Sequence, residues 1–318
     1  MKFSVIIPCF NAEDTISDAL QSCLAQGPVV ERILAVDDHS TDCTPSILKE
    51  WAESHPQIQV LANPKKGAPS ARNLGMKHST TELIQWLDAD DTLGAGKLYV
   101  AQKFHLSNPN QLLACPWHSF PKDQSNQQHL NINTRWINVP NFSTPSDWIS
   151  EDRHMVPHCY SGHRRLFEQV EPWDESLLIN QDGEYISRVI AASEGVTFTR
   201  EIEVGYRQSS GKSVSRFSPE KADSLFRSTE SMERTALSLE DSHRMRQMVA
   251  NRWQHFIYTA YPSRPDLIQA AQSKLQSLPA PNISNPNAVS PLSKLFSRTL
   301  GWKTLTQARL LRSKLTAS

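Results

Sequence analysis

Between Phe3 and Asp88 the chain alternates short β-branched runs with segments of helical period, a rhythm that few architectures accommodate. "FSVIIP", from Phe3, is continuous, β-branched and ended by Pro8, the pattern of a strand buried on both faces. "NAEDTISDALQSCLAQ" follows, with Ile16, Leu20 and Leu24 at helical spacing and acidic residues in its first turn. "RILAVDD" reads as a second strand and "TPSILKEWAES" as a second helix, with Thr44 as its N-cap and Pro45 at its first position. "IQVLAN" is a third strand, "APSARNLGMKHS" a short helix and "ELIQWLD" a fourth strand. Such alternation requires right-handed crossovers, which give an α/β fold with a mostly parallel sheet and helices on both faces. Sheets of this kind bind ligands beyond the carboxyl ends of their strands. Pro8, Asp37, Asp38, Asp88 and Asp90 all fall at those ends.

From about Leu112 the rhythm breaks. "LLACPWHSF" and "HLNINTRWINV" read as strands joined by a polar loop at Lys122 to Gln128. Residues 219–276 form a polar helical extension, 277–291 a Pro/Asn/Ser linker, and 292–318 a basic tail whose helix covers Leu292 to Leu315. The α/β domain is therefore expected over 1–218, with a ligand-binding half at 1–110 and a second half at 111–218. In the tail, Lys294, Arg298, Arg309 and Arg312 gather on one side of a helical wheel, with leucines and Phe296 on much of the other. Two readings of this helix stay open: packing on its own domain or a partner, and peripheral contact with anionic lipid at the cytoplasmic face of a membrane.

With 33 basic and 33 acidic residues the net charge is zero, which gives no electrostatic footprint for nucleic acid. The 5 cysteines are scattered with no CxxC pair, the usage of a cytosolic protein with reduced thiols. The first residues do not read as a signal peptide, and no apolar run approaches the roughly 20 residues needed to span a bilayer.

The densest chemistry is "LIQWLDADDT", residues 83–92. Asp88, Asp90 and Asp91 would repel one another in a dry site. Alternate residues of an extended segment project to one side, so Asp88 and Asp90 can reach one hard cation, Mg²⁺ or Mn²⁺. Such an ion often completes its shell with substrate phosphates, which suits a nucleotide diphosphate. The plainer reading is a solvated acidic turn. Asp37 and Asp38 form a second acidic strand end, able to accept from a base N–H or a ribose hydroxyl, or to close an Asx turn.

These segments together carry a resemblance. "SVIIPCFNAEDTISDALQSCLAQ", "VDDHSTDCT", "GAPSARNLGM" and "IQWLDADD" stand in the order and spacing of family 2 glycosyltransferases, which have the GT-A fold. The match is close from Lys2 to Leu93 and looser to about Arg216. It implies an inverting, metal-assisted transfer of a sugar from a nucleotide sugar to an acceptor hydroxyl, in polysaccharide or glycan synthesis. By the same resemblance Pro8 to Phe10 form the nucleoside-contacting strand end, with Phe10 near the base. Asp38, with Asp37 beside it, reads the base, usually uracil. Arg72 is the basic residue near the donor, Asp90 the main metal-binding Asp, and Asp88 lies nearer the sugar and ribose. Asp91 is expected to start a helix rather than to bind.

Family members place the general base in an "ED" motif downstream of a "W/F-D-E" stretch. This chain reads "PWDESLLINQDGEYISRVI", so Trp173, Asp174 and Glu175 match the landmark. Gln181 replaces the usual Glu, Asp182 holds the base position and Glu184 is the nearby substitute. In the loop 205–216, Arg207, Lys212 and Arg216 could meet phosphate, with Gly211 as hinge, or form a plain surface loop. His158 and His163 fall on the acceptor side, either lining the cleft or serving the fold. The implied acceptor is a glycan, a lipid-linked intermediate or a small molecule.

Two rival readings remain. "LIQWLDADDTL" also fits a haloacid-dehalogenase-type phosphatase, with Asp88 as nucleophile and Asp90 as acid/base. That chemistry needs a later acidic pair for Mg²⁺, for which Glu151 and Asp152 are the available residues. The other rival is a degenerate transferase that binds a nucleotide or a partner without turnover, toward which Gln181 leans.

Overall fold

Strand β1 (Phe3–Cys9) is buried along almost its whole length, with Phe3, Val5, Ile6, Ile7 and Cys9 fully removed from solvent. In the computed structural model, which describes residues 1–121, 136–153, 155–208, 217–285, 302–304 and 306–307, this strand lies inside an eight-stranded sheet. It pairs in parallel with β2 (Val30–Asp37) on one side and β4 (Leu83–Trp86) on the other, and β2 pairs in parallel with β3 (Ile58–Ala62). The register sets Cys9 opposite Asp37 and Ile6 opposite Trp86, so these strands finish at one edge.

Helices α1 (Ile16–Leu24), α2 (Thr44–Ser54) and α3 (Ala68–His78) make the crossovers. α1 buries Ile16, Ala19, Leu20 and Cys23, the stripe that its apolar spacing requires. Thr44 is the first residue of α2 rather than its cap. Its Oγ1 instead accepts the Ala12 N–H at 2.8 Å, joining the β1–α1 and β2–α2 loops.

Beyond β4 the strand directions mix. The acidic turn is followed by the short strand β5 (Thr92–Leu93), and the next helix, α4 (Lys97–Ser107), begins only at Lys97. Asp91 therefore does not start a helix. "LLACPWHSF" divides at Cys115–Pro116 into β6 (Gln111–Ala114) and β7 (Trp117–Phe120), which join different sheets. A proline cannot donate to a ladder, and the chain leaves the large sheet there. No strand forms over Trp136–Val139; Trp136 instead packs 4.6 Å from Trp117, ring to ring, and residues 122–135 lie outside the described residues.

After β8 (Phe142–Ser143) and α5 (Pro145–Ser150), β9 (Tyr160–His163) inserts antiparallel between β4 and β6, ahead of α6 (Arg164–Glu168). Helix α7 (Gln181–Ala192) leads to β10 (Gly195–Phe198), and the large sheet runs β3-β2-β1-β4-β9-β6-β10-β8. β11 (Val204–Arg207) pairs with β5 and β7 in a small second sheet that covers the acidic turn. This is the GT-A arrangement expected from the sequence.

The chain divides into two compact units, Met1–Arg216 and Phe217–Ser318. In the second, α8 (Ala222–Leu239), α9 (His243–Ala260) and α10 (Pro265–Leu275) pack through Trp253, which lies 4.9 Å from Phe226, ring to ring. Residues 279–285 are irregular, as the linker composition implies. Most of the basic tail lies outside the described residues. The part described is helical at 302–304 and 306–307, and Trp302 sits edge-on to Tyr258 and Tyr261 of the same unit, at 4.9 and 5.1 Å. Among the described residues no helix is long and apolar enough to cross a membrane.

Gly75 brings α3 directly onto β1, and a Cβ there would overlap Cγ2 of Ile6. An alanine in a helix interior usually stabilises by about 0.5–1 kcal/mol relative to glycine. Here close packing reverses the sign: Gly75→Ala is expected to destabilise by about 1–3 kcal/mol, measured by denaturant unfolding. A stabilised variant would show that the helix does not need this approach.

Candidate active site

The shared register of the central strands delivers the site's side chains. Pro8 is the penultimate residue of β1, which runs one residue further than its sequence pattern implies, Asp37 ends β2, and Asp88 follows β4 by two residues, so all three lie at the same sheet edge. Phe10 stands 42% exposed just beyond β1, with Lys66 Nζ 5.0 Å from its ring centre. Asp38 is buried, and its carboxylate accepts from Asn63 Nδ2 at 2.7 Å and from the Gly67 N–H at 2.8 Å. It thereby anchors the loop that starts α3. Asp37 keeps a buried carboxylate oxygen, Oδ1, with no hydrogen-bond partner.

Helix α3 contributes Arg72, a guanidinium only 3% exposed. Its Nη2 donates to Asp88 Oδ1 at 2.7 Å, and its Nη1 lies 3.2 Å from Asp182 Oδ1. The second contact is an ion pair without hydrogen-bond geometry, and Arg72 Nε has no acceptor. Below the guanidinium lies an aromatic platform. Trp173 is 4.5 Å from the guanidinium carbon, stacks on Tyr185 of α7 at 4.2 Å, and meets Trp86 of β4 edge-on at 5.4 Å. Asn73, next on α3, clasps the Trp173 backbone in both directions, at 2.9 and 3.0 Å, and reaches Glu175 at 3.2 Å. The W-D-E stretch is thus the seat on which α3 and α7 meet.

Asp182 is the second residue of α7, reached through Asn180 at φ 56°, a left-handed conformation that asparagine tolerates. Burial pushes its carboxyl up to about 6; Arg72 pulls the other way and Asp88 adds to the rise. Glu184, the alternative base, is buried and bound to Arg188 at 2.7 and 2.8 Å. It serves the helix, which leaves Asp182 as the carboxylate facing Arg72.

The acidic turn is electrostatically divided. Burial would raise Asp88, but Arg72 and His158 outweigh it and hold the carboxyl below its ordinary value. Asp90 is raised to about 6 by burial and by the neighbouring Asp88 charge. Asp91 is raised well above the carboxylate range by burial, then by Asp90 and Asp88. Asp91 is 1% exposed and accepts the Arg207 N–H at 2.7 Å. His158, fully buried, brings Nδ1 to 3.4 Å from Asp91 Oδ2, while neither ring nitrogen makes a hydrogen bond. Burial pushes this imidazole down to about 4, so it is neutral. Asp88, Asp91 and His158 each direct one potential ligand atom into a common space, all within 4.8 Å of one another. Oxygen donors with an unpartnered buried imidazole fit a divalent cation.

Two expectations change in the structure. Arg207 is buried rather than lying in an exposed loop. Its Nε donates to the Asp90 carbonyl at 2.9 Å and its Nη2 to Asp18 at 2.7 Å, over the Phe120 ring. It braces the acidic turn from β11. His163 pairs with Leu83 at the opposite end of β4 and caps α6, away from the acids. Lys212, Arg216 and Gly211 lie outside the described residues. Asp91 and Asn73 are constituents that the sequence reading left out of the site, and His158, expected on the acceptor side, lies instead against Asp91. Asp91 was adjacent to the D-x-D pair, but no sequence spacing ties His158 to it. Glu151 and Asp152, the pair the phosphatase alternative needs, are exposed in the turn after α5, and among the described residues neither belongs to the cluster around Asp88.

A family model described as glycosyl transferase family 2 matches residues 4–171. Among curated relatives, the minor teichoic acid biosynthesis protein GgaB of Bacillus subtilis (strain 168) is 28% identical over 215 residues, covering 64% of this chain and 23% of that protein. The UDP-Glc:alpha-D-GlcNAc-diphosphoundecaprenol beta-1,3-glucosyltransferase WfgD of Escherichia coli is 38% identical over 106 residues, 33% of this chain and 41% of that protein. The chain thus spans less than half the length of these relatives. Among solved structures, S. aureus TarS 1-349 in complex with UDP-GlcNAc superposes with a TM-score of 0.70 at 19% identity, covering 98% of this chain and 92% of that one.

Arg72→Met keeps an unbranched stem over Trp173 while removing the charge between Asp88 and Asp182. Breaking a fully buried ion pair costs about 3–5 kcal/mol. Both carboxylates here keep some solvent access, so about 1–3 kcal/mol is expected. With Arg72 gone, both folded-state carboxyl pKa values rise above their unfolded values. Stability is then lost as pH climbs from about 4 toward 7, because ionisation favours the unfolded chain. Denaturant midpoints at pH 5 and 7.5 should show a larger deficit at the higher pH. An equal deficit at both would remove the electrostatic account.

Proposed function

The chain belongs to glycosyl transferase family 2, and from that premise we propose that it transfers a sugar from a nucleotide diphosphate sugar to an acceptor hydroxyl, with inversion at the anomeric carbon. The observation that carries this reading is the shared arginine: Arg72 touches Asp88 of the D-x-D turn at 2.7 Å and Asp182 of α7 at 3.2 Å. The same cation thus orders a donor-side carboxylate and a carboxylate suited to be the base.

In this reading Asp182 takes the proton of the acceptor hydroxyl. The oxygen attacks the anomeric carbon, the bond to the diphosphate breaks, and the nucleoside diphosphate leaves with the electron pair. A carboxylate raised to about 6 is ionised at neutral pH yet more basic than an ordinary aspartate, as general-base work requires. Phe10 and Pro8, with Asp37 and Asp38, flank the nucleoside. Arg72 holds the base in place and adds positive charge near the phosphates. Arg207 fixes the acidic turn rather than meeting phosphate itself.

Asp88 and Asp90 are the residues assigned to Mg²⁺ or Mn²⁺, which when bound offsets the charge of the departing diphosphate. UDP is the favoured nucleotide, since TarS has been solved with UDP and UDP-GlcNAc and WfgD is named for UDP-Glc. Relatives named for teichoic acid biosynthesis and for a diphosphoundecaprenol-linked sugar favour an envelope polymer or a lipid-linked glycan as acceptor.

Asp182→Asn should lower transfer by about 10²–10⁴-fold while UDP affinity stays within about twofold. For the wild type, kcat/KM should rise with pH through about 6, as Asp182 becomes ionised. Full activity in Asp182→Asn would overturn the assignment of the base. UDP binding without turnover on any envelope acceptor would favour the non-catalytic binding module, toward which Gln181 leans.

A further inference from the structure

Successive residues of a strand project to opposite faces, and β11 uses this beside the acidic turn. Arg207 turns one way, to Asp18 and the Asp90 carbonyl. Tyr206 projects from the other face and is half-buried. Its ring lies parallel to the His158 imidazole, with 13° between the planes and 6.3 Å between the centres. His158 in turn lies 3.4 Å from Asp91. The backbone is held on both sides: Tyr206 pairs with Ser119 of β7, and the next N–H, of Arg207, donates to Asp91 Oδ1 at 2.7 Å. The phenol is thereby seated against the acidic turn while part of it stays open to solvent.

Two properties of this phenol narrow what it can meet. Among the described residues its hydroxyl makes no hydrogen bond. Burial raises its pKa, and the charges of Asp91, Asp90, Asp88 and Asp182 raise it further, in that order. The hydroxyl therefore keeps its proton at neutral pH and serves as a donor, not as a base. The same four charges place it within reach of both the acidic turn and the carboxylate of α7. A nucleoside diphosphate held at the acidic turn need not extend to Asp182. The sugar it carries must, because its anomeric carbon meets the hydroxyl that Asp182 deprotonates. A pyranose ring also matches the phenol chemically: it offers a face of C–H groups to the aromatic ring and hydroxyl oxygens that accept from the O–H.

We infer that Tyr206 contacts the sugar being transferred, with its ring against one face of a hexopyranose and its hydroxyl donating to a sugar oxygen. The inference rests on reading this cleft as a nucleotide-sugar site, and it adds a determinant of which sugar is accepted. A site that donates a hydrogen bond to a substrate oxygen discriminates against the analogue that places no oxygen there. Tyr206 thus selects among hexoses by the oxygen they present to its hydroxyl, and His158 and the Arg207 backbone support it in that position.

The test is isothermal titration calorimetry of the full chain, in buffer containing Mn²⁺, with UDP and with UDP-glucose, UDP-galactose, UDP-N-acetylglucosamine and UDP-N-acetylgalactosamine. In Tyr206→Ala at least one UDP-hexose should lose about 10–100-fold in affinity, from a lost ring contact and a lost hydrogen bond, while UDP stays within about twofold. Tyr206→Phe keeps the ring, so the same hexose should lose only about 3–10-fold and the spread of affinities among the four hexoses should narrow. Retained UDP affinity reports that each variant is folded, and if Tyr206→Ala fails to fold, Tyr206→Phe decides by the same comparison. Equal changes for UDP and every UDP-hexose, large or absent, would overturn the inference and leave the donor-site reading standing, with Tyr206 serving only the fold. Failure of the wild type to bind UDP or any UDP-hexose would overturn the donor-site reading and the inference with it.

Discussion

A single buried guanidinium sets the terms for the rest of this site. Arg72 is shared by Asp88 and Asp182, which arrive from distant parts of the chain. Without a cation between them these carboxylates would oppose each other's ionisation in a partly dry cleft. Burial alone would weaken Arg72 as a charge, but the two aspartates outweigh that and hold its pKa above the ordinary value. Its position is fixed from below by Trp173 and beside it by Asn73, so α3, the W-D-E segment and α7 form one packed unit around one charge.

The protein divides the labour of its acids by environment rather than by residue type. Asp88 is held low beside Arg72, Asp182 is raised to about 6, and Asp91 is raised well above the usual range in its buried place under β11. Identical side chains on one edge of a sheet thereby acquire different protonation tendencies. Arg207 shows the complementary case. A basic residue that looks available in the sequence is spent on the geometry of the acidic turn, through the Asp90 carbonyl and Asp18.

Much of this arrangement was legible beforehand, for identifiable reasons. Strand ends are marked by the apolar run stopping, so Pro8, Asp37 and Asp88 could be placed on one edge without coordinates. The split of "LLACPWHSF" was less visible. A continuous apolar run looks the same whether it stays in one sheet or crosses to another at Pro116. Thr44 was displaced by one position because helix boundaries carry little sequence information. Asp91 resembles a helix start because local chemistry at a strand end resembles a cap, while its partner, the Arg207 backbone, is 116 residues away.

The sequence by itself determined the α/β architecture and the family, because periodicity and linked motifs are local properties of neighbouring residues. It also marked Asp88, Asp90 and Asp182 as the acids to examine. Tertiary structure alone decided which groups meet: Arg72 with Asp182, His158 with Asp91, Arg207 with Asp18, and Glu184 with Arg188 rather than with the cleft. Contacts between distant segments depend on strand order and register, and burial is a collective property of everything packed around a group. A carboxylate's burial and neighbours govern its charge, so the chemistry of these acids could be read only once the chain was folded around them.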